Sequence, residues 1–172
     1  MPSKKHYILT AVTLGAIAGI SAGLISLANL VTADRITKNE EARIDKGVDA
    51  IFGVGSKKEV YEKELKEFEK LDKSYKVIRN DVTTGWAIRA TGSNMYGKIS
   101  MIVGFDYETK QFLGTYLITN EQTYASTLVD NYVTPLNEGK RQLDDVSCGA
   151  TYGATLVKDL VNAAQSYVND VK

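Results

Sequence analysis

The 172-residue sequence predicts an α+β protein: one N-terminal transmembrane helix, then an antiparallel sheet with flanking helices. Three observations predict it. No permanently charged residue occurs from His6 to Ala33. Four successive segments between Tyr75 and Thr119 are rich in β-branched and aromatic residues, with turn chemistry between them. An apolar face at helical spacing runs along the last segment, through Leu156, Leu160, Val161, Ala164 and Val168.

The stretch from Tyr7 to Val31 exceeds the ~20 apolar residues that cross a bilayer core. Lys4 and Lys5 precede it, and the next basic residue, Arg35, stands beside Asp34. The positive-inside rule then places the N-terminus in the cytoplasm and the C-terminal domain outside it. Gly15, Gly19 and Gly23 recur every four positions. They form either a face for close approach of another membrane helix or the ordinary glycine content of such helices. Val31-Thr32-Ala33 loosely resembles a signal cleavage site, but a signal core is about 7–15 residues and this run is longer, which favours an uncleaved anchor in the cell membrane.

Three regions follow: a cytoplasmic N-terminus and anchor over 1–33, a helical connector over 34–72 and a folded domain over 73–172. Ile36, Ile44, Val48, Ile51 and Phe52 fall near one helical face, ended by Gly53-Val54-Gly55-Ser56. Lys57–Leu71 is expected as a second, charge-laced helix with Tyr61, Leu65 and Phe68 on one side. Strands are expected at Tyr75–Arg79, Gly85–Thr91, Ile99–Phe105 and Phe112–Thr119. Asn80-Asp81, Gly92-Ser93-Asn94 and Asp106–Lys110 supply the turns, and the last two strands pair as a hairpin. A short helix is expected at Thr123–Tyr132, then a loop marked by Pro135, Asn137 and Gly139.

Composition excludes much chemistry. The chain holds 21 Lys+Arg and 21 Asp+Glu, and setting Lys4 and Lys5 aside leaves the rest slightly acidic. Nucleic acid is therefore not an expected partner; the lipid bilayer is. One Cys and one His exclude a disulfide framework, a Cys-rich zinc site and any site built on two imidazoles. His6 belongs to the cytoplasmic edge of the anchor, so no triad or Cys–His pair forms in the exposed part. No catalytic residue and no metal ligand is assigned.

One segment stands apart: Asp144-Asp145-Val146-Ser147-Cys148-Gly149-Ala150-Thr151-Tyr152-Gly153-Ala154-Thr155. As local structure it is a helix N-terminus, with Ser147 or Thr151 as N-cap and Asp145 favourable to the dipole. As chemistry it is an anion site, where the N–H groups of Gly149, Ala150 and Thr151 hold a phosphate. The residues alone leave both readings open.

Asp145–Thr151 resembles the Asp-x-x-[Ser/Thr]-Gly-Ala-Thr motif of FMN-binding domains. The resemblance extends to Thr32–Glu40 after the membrane helix, to Gly92–Ile99, to Val103-Gly104-Phe105 and Phe112-Leu113-Gly114, and to Gln122-Thr123 where the family has Glu-Thr. That family includes the G subunit of Rnf electron-transport complexes and the C subunit of sodium-translocating NADH:quinone reductases. Its members carry FMN covalently on the final Thr, through a phosphoester made outside the cytoplasm by an FMN transferase with FAD as donor.

The resemblance implies covalent FMN on Thr151, with Gly149, Ala150, Cys148, Asp145 and Tyr152 around the attachment and Tyr96, Gln122 and Thr123 as pocket walls. It implies an electron-transfer subunit of an ion-translocating oxidoreductase, the Rnf-type ferredoxin:NAD complex, with other membrane subunits and the transferase as partners. Two alternatives stay open: a stand-alone anchored FMN carrier serving another reductase chain, and a non-redox assembly subunit whose motif has lapsed. The chain departs from the pattern at Cys148 for Ser/Thr, Gly153 for Ser and Gln122 for Glu, and it lacks the Pro-Gly-Leu-Gly that commonly follows Glu-Thr. Cys148 is either a small residue in a tight turn or a thiol that tunes the flavin or pairs with another chain.

Overall fold

The computed structural model describes residues 4–61, 65 and 68–171. It divides into two compact units, Met1–Glu41 and Ala42–Lys172. Helix α1 (Lys4–Phe52) contributes to both. Among the described residues of the first unit the apolar side chains lie at the surface; Ile8, Val12, Ile17, Leu24 and Leu30 are all more than half exposed. The hydroxyls of Thr13, Thr32 and Thr37 donate to the carbonyls four residues earlier, of Leu9, Ala28 and Ala33. Polar groups satisfied within the helix suit a segment long and apolar enough to cross a membrane.

The second unit is built on a five-stranded antiparallel meander: β1 (Lys57–Val60), β2 (Leu71–Arg79), β3 (Val82–Asn94), β4 (Gly97–Asp106) and β5 (Phe112–Asn120). Alternation sends successive side chains to opposite faces. Ile99, Met101, Val103 and Phe105 of β4 join Trp86, Ile88 and Ala90 of β3 in the larger core. Ile102 joins Tyr75, Val77, Ala87 and Ile118 in the smaller one. The larger core is closed by α4 (Thr151–Asp170), through the predicted face of Leu156, Leu160, Val161, Ala164 and Val168. The smaller is closed by Ile44, Val48, Ile51 and Phe52 of α1. Ile36, expected on the same face, is 64% exposed. A notch in the sheet admits the end of α1: a Cβ at Gly104 would stand 2.4 Å from Ile51 Cγ2. Gly53, with φ +96, ends the helix as expected.

Four expectations are corrected. Lys57–Val60 is not helical but pairs with β2, Lys57 against Ile78 and Val60 against Tyr75. Short, charged strands are typical of sheet edges, and backbone pairing overrides the helical spacing of Tyr61, Leu65 and Phe68. Those three residues still pack against the larger core, while 62–64, 66 and 67 of the expected helix lie outside the described residues.

Gly92-Ser93-Asn94 is strand rather than turn; the reversal is at Met95-Tyr96, between paired Asn94 and Gly97. Glycine at 92 answers packing, since a Cβ there would lie 2.9 Å from Leu156 Cδ1. The expected short helix divides into α2 (Ala125–Leu128) and a π-helical turn (Val129–Val133). It runs on into α3 (Thr134–Asn137), where Pro135 sits in the first turn and not in a loop.

The other turns form as expected. Asn80 and Asp81 take φ of 52 and 61, the left-handed pair of a two-residue hairpin loop. Asp106 Oδ1 accepts from the N–H of Glu108 and Thr109 at 3.1 and 2.8 Å and from the Thr109 hydroxyl at 2.9 Å, which holds its carboxyl below the ordinary value.

Candidate functional site

The candidate site lies where the β3–β4 hairpin, the segment after β5 and the start of α4 meet. Ala150 is the N-cap of α4, with φ −127 and ψ 44, so neither Ser147 nor Thr151 holds that position. No side chain caps the helix, and its ladder begins with Ala154 N–H donating to the Ala150 carbonyl at 3.0 Å. The N–H groups of Thr151, Tyr152 and Gly153 therefore have no partner in the ladder. Thr151 is exposed, and its hydroxyl makes no hydrogen bond to a described residue. Gly149, with φ +82, turns the chain into the helix from a conformation that disfavours a side chain.

The loop before the helix is pinned from behind. Asn131 Nδ2 donates to the Cys148 carbonyl at 3.1 Å, and the Tyr132 hydroxyl to that of Leu143 at 2.5 Å. Arg141 donates to the carbonyls of Asp145 at 2.8 Å and Ser147 at 3.3 Å. The π-helical turn supplies Asn131 and Tyr132, which gives it a structural use at the site. Burial, and next the neighbouring Cys148, push the Tyr132 phenol up to about 12.

A second network joins the hairpin to the helix. Asn94 Nδ2 donates to the Tyr152 carbonyl at 3.0 Å, and Asn94 Oδ1 accepts from Tyr96 N–H at 2.9 Å. Gln122 Nε2 donates to Asn94 Oδ1 at 3.1 Å and to the Gly97 carbonyl at 2.6 Å. Thr123 N–H donates to the Tyr96 carbonyl at 3.0 Å. These bonds bring the Tyr96 and Tyr152 rings to 5.1 Å between centroids.

Between these networks lies a cleft of about 280 Å³ lined by Tyr96, Gln122, Tyr124, Gly149, Ala150, Thr151, Tyr152 and Gly153. Six of the nine sequence-selected residues line it: Tyr96, Gln122, Gly149, Ala150, Thr151 and Tyr152. The other three do not. Thr123 braces the hairpin. Cys148 is buried and belongs to the larger core. Asp145 Oδ2 is 3.6 Å from Arg141 Nη1. Sequence reasoning missed Tyr124 and Gly153 as walls and Asn94 as the bridge. Tyr124 carries a legible signal, an aromatic next to the selected Thr123; the role of Asn94 depends on hairpin register and has none. Among the described residues no cluster of three or more His, Cys, Asp or Glu is placed to hold a metal ion.

The residues present are chemically compatible with FMN. Uncapped N–H groups and a free hydroxyl suit a phosphate ester, and three tyrosines around an open cleft suit a flat ring. The cleft volume, just under the usual range for pockets that enclose small ligands, would leave part of such a group at the surface. No curated protein matches the chain. Residues 1–48 match the family described as the RnfG N-terminal region, a match that ends before the sheet, and on it the chain resembles the RnfG subunit.

Proposed function

We propose that this protein is a membrane-anchored subunit of an Rnf-type complex that carries FMN on Thr151 and passes electrons between redox partners. The family match over residues 1–48 supports the Rnf assignment and, with the apolar span of α1, membrane anchoring. The observation that carries the flavin reading is Thr151 itself: an exposed hydroxyl without a hydrogen bond, at an uncapped helix start on the lip of a tyrosine-lined cleft.

In the attachment step the Thr151 oxygen forms a bond to the phosphorus of FAD's FMN half and loses its proton, while AMP departs. The chain therefore gains the mass of FMN less one water. Bound FMN supplies one- and two-electron transfer. The N–H groups of Thr151, Tyr152 and Gly153 would hold the phosphate, and the three tyrosines would hold the ring. The attachment occurs outside the cytoplasm, so the domain over Ala42–Lys172 is extracytoplasmic and the N-terminus cytoplasmic.

Intact-mass measurement on protein co-expressed with an FMN transferase tests the proposal. Wild type gains one FMN less water and visible flavin absorbance, and Thr151→Ala loses both. Unmodified wild type beside a modified control substrate refutes the attachment.

A further inference from the structure

Gln122 is only 6% exposed, yet the two ends of its amide are unequally served. Nε2 donates to the Gly97 carbonyl at 2.6 Å and to Asn94 Oδ1 at 3.1 Å. Both partners are acceptors, and Asn94 Oδ1 already takes the Tyr96 N–H. Flipping the amide would set oxygen against oxygen twice, so the network itself assigns which end is Oε1. That oxygen accepts no hydrogen bond from a described residue. It lies beside the cleft: Gln122 and Gly153 both line it, and a Cβ on Gly153 would stand 3.3 Å from Oε1. Glycine at 153 leaves the acceptor uncovered. An amide oxygen that the protein leaves unserved beside the cleft is placed to accept from a donor on a ligand bound there.

We propose that Gln122 Oε1 is the ring-recognition acceptor of this cleft, taking a hydrogen bond from an N–H on the edge of the bound heteroaromatic ring. The inference rests on the flavin reading and sharpens it. The oxidised isoalloxazine ring carries a single N–H, at N3. Gln122 is a specificity-determining residue for that imide edge, and Gly153 is its accomplice by absence. The amide does what a carboxylate cannot: a glutamate at 122 would face the Gly97 carbonyl and Asn94 Oδ1 with no proton to give.

The test uses two probes, lumiflavin and 3-methyllumiflavin, which differ at the N3 hydrogen. Each is titrated by fluorescence quenching onto the full chain, purified in detergent from cells without an FMN transferase. Wild type prefers lumiflavin by about tenfold, the usual consequence of losing one hydrogen bond. Gln122→Met removes the preference. Gly153→Ser also removes it, because the new hydroxyl reaches Oε1 while the Nε2 bonds of Gln122 stay in place. The serine variant carries the test if Gln122→Met does not fold. Equal affinity for the two rings, no binding of either, or a preference that survives Gly153→Ser overturns the proposal. A missing mass gain at Thr151 overturns only the attachment, since the ring preference is measured without it.

Discussion

Adding one methyl group at Gly97 is expected to destabilise the domain by about 3 kcal/mol. Two terms make up that figure. Gly97 has φ +136, where a side chain costs on the order of 1–2 kcal/mol. Its Cβ would then lie 2.1 Å from the Glu121 carbonyl oxygen and 2.6 Å from the carbonyl carbon. Those are backbone atoms, held by Glu121 N–H donating to the Lys98 carbonyl at 2.9 Å, so they cannot swing aside as a side chain would. Overpacking of this kind adds about 1–3 kcal/mol. Gly55→Ala isolates the first term, because Gly55 has φ +88 and nothing within 4 Å of its Cβ. The two variants should therefore differ by about 2 kcal/mol, or roughly 8 °C in Tm for a domain of this size. The chain's single tryptophan, Trp86, is 4% exposed in the sheet, so its fluorescence follows the domain and ignores the N-terminal part of α1. Equal losses in Gly97→Ala and Gly55→Ala would show that the hairpin does not press on Glu121 as described.

Leu160→Ala empties a fully buried position on α4 and should cost about 2–5 kcal/mol by the same melting assay. Tyr132→Phe loses the hydrogen bond to the Leu143 carbonyl, about 1 kcal/mol at neutral pH. The Tyr132 phenol titrates higher in the fold than its ordinary 10.0, so the folded state favours the neutral form. That contribution is complete below pH 10 and is lost as pH rises toward about 12, so wild type should lose stability across this window faster than Tyr132→Phe. Asp106 has the opposite sign. Its carboxyl is held below the ordinary 3.8, so the stability lost in Asp106→Ala is present above that value and vanishes as pH falls beneath it, which a pH series of melting curves reads directly.

Elements defined by side-chain pattern were legible in the sequence, and those defined by backbone partnership were not. β2 to β5 announce themselves by β-branched and aromatic residues between turn signals, and the buried face of α4 by helical spacing. β1 does not, because Lys57–Val60 has no apolar alternation and becomes a strand only through hydrogen bonds to β2. The chain reverses three residues beyond the point that Gly92 suggests, because glycine there makes room for Leu156 and does not mark a turn. At the candidate site the motif residues around Thr151 were visible as a run of small and hydroxyl-bearing residues. Asn94 was not, since its bond to Tyr152 spans 58 positions and follows from register alone.

The smaller core has a consequence for where this protein can be cut. Ile44 and Val48 are at most 1% exposed, and each contributes about 1.5–3 kcal/mol by covering the sheet. The folded part therefore begins before the first strand. A protease that releases the domain near Ala42 frees an intact core. One that cuts at Lys57 uncovers Val77, Ala87, Ile102 and Ile118 together, and turns a soluble product into an aggregating one.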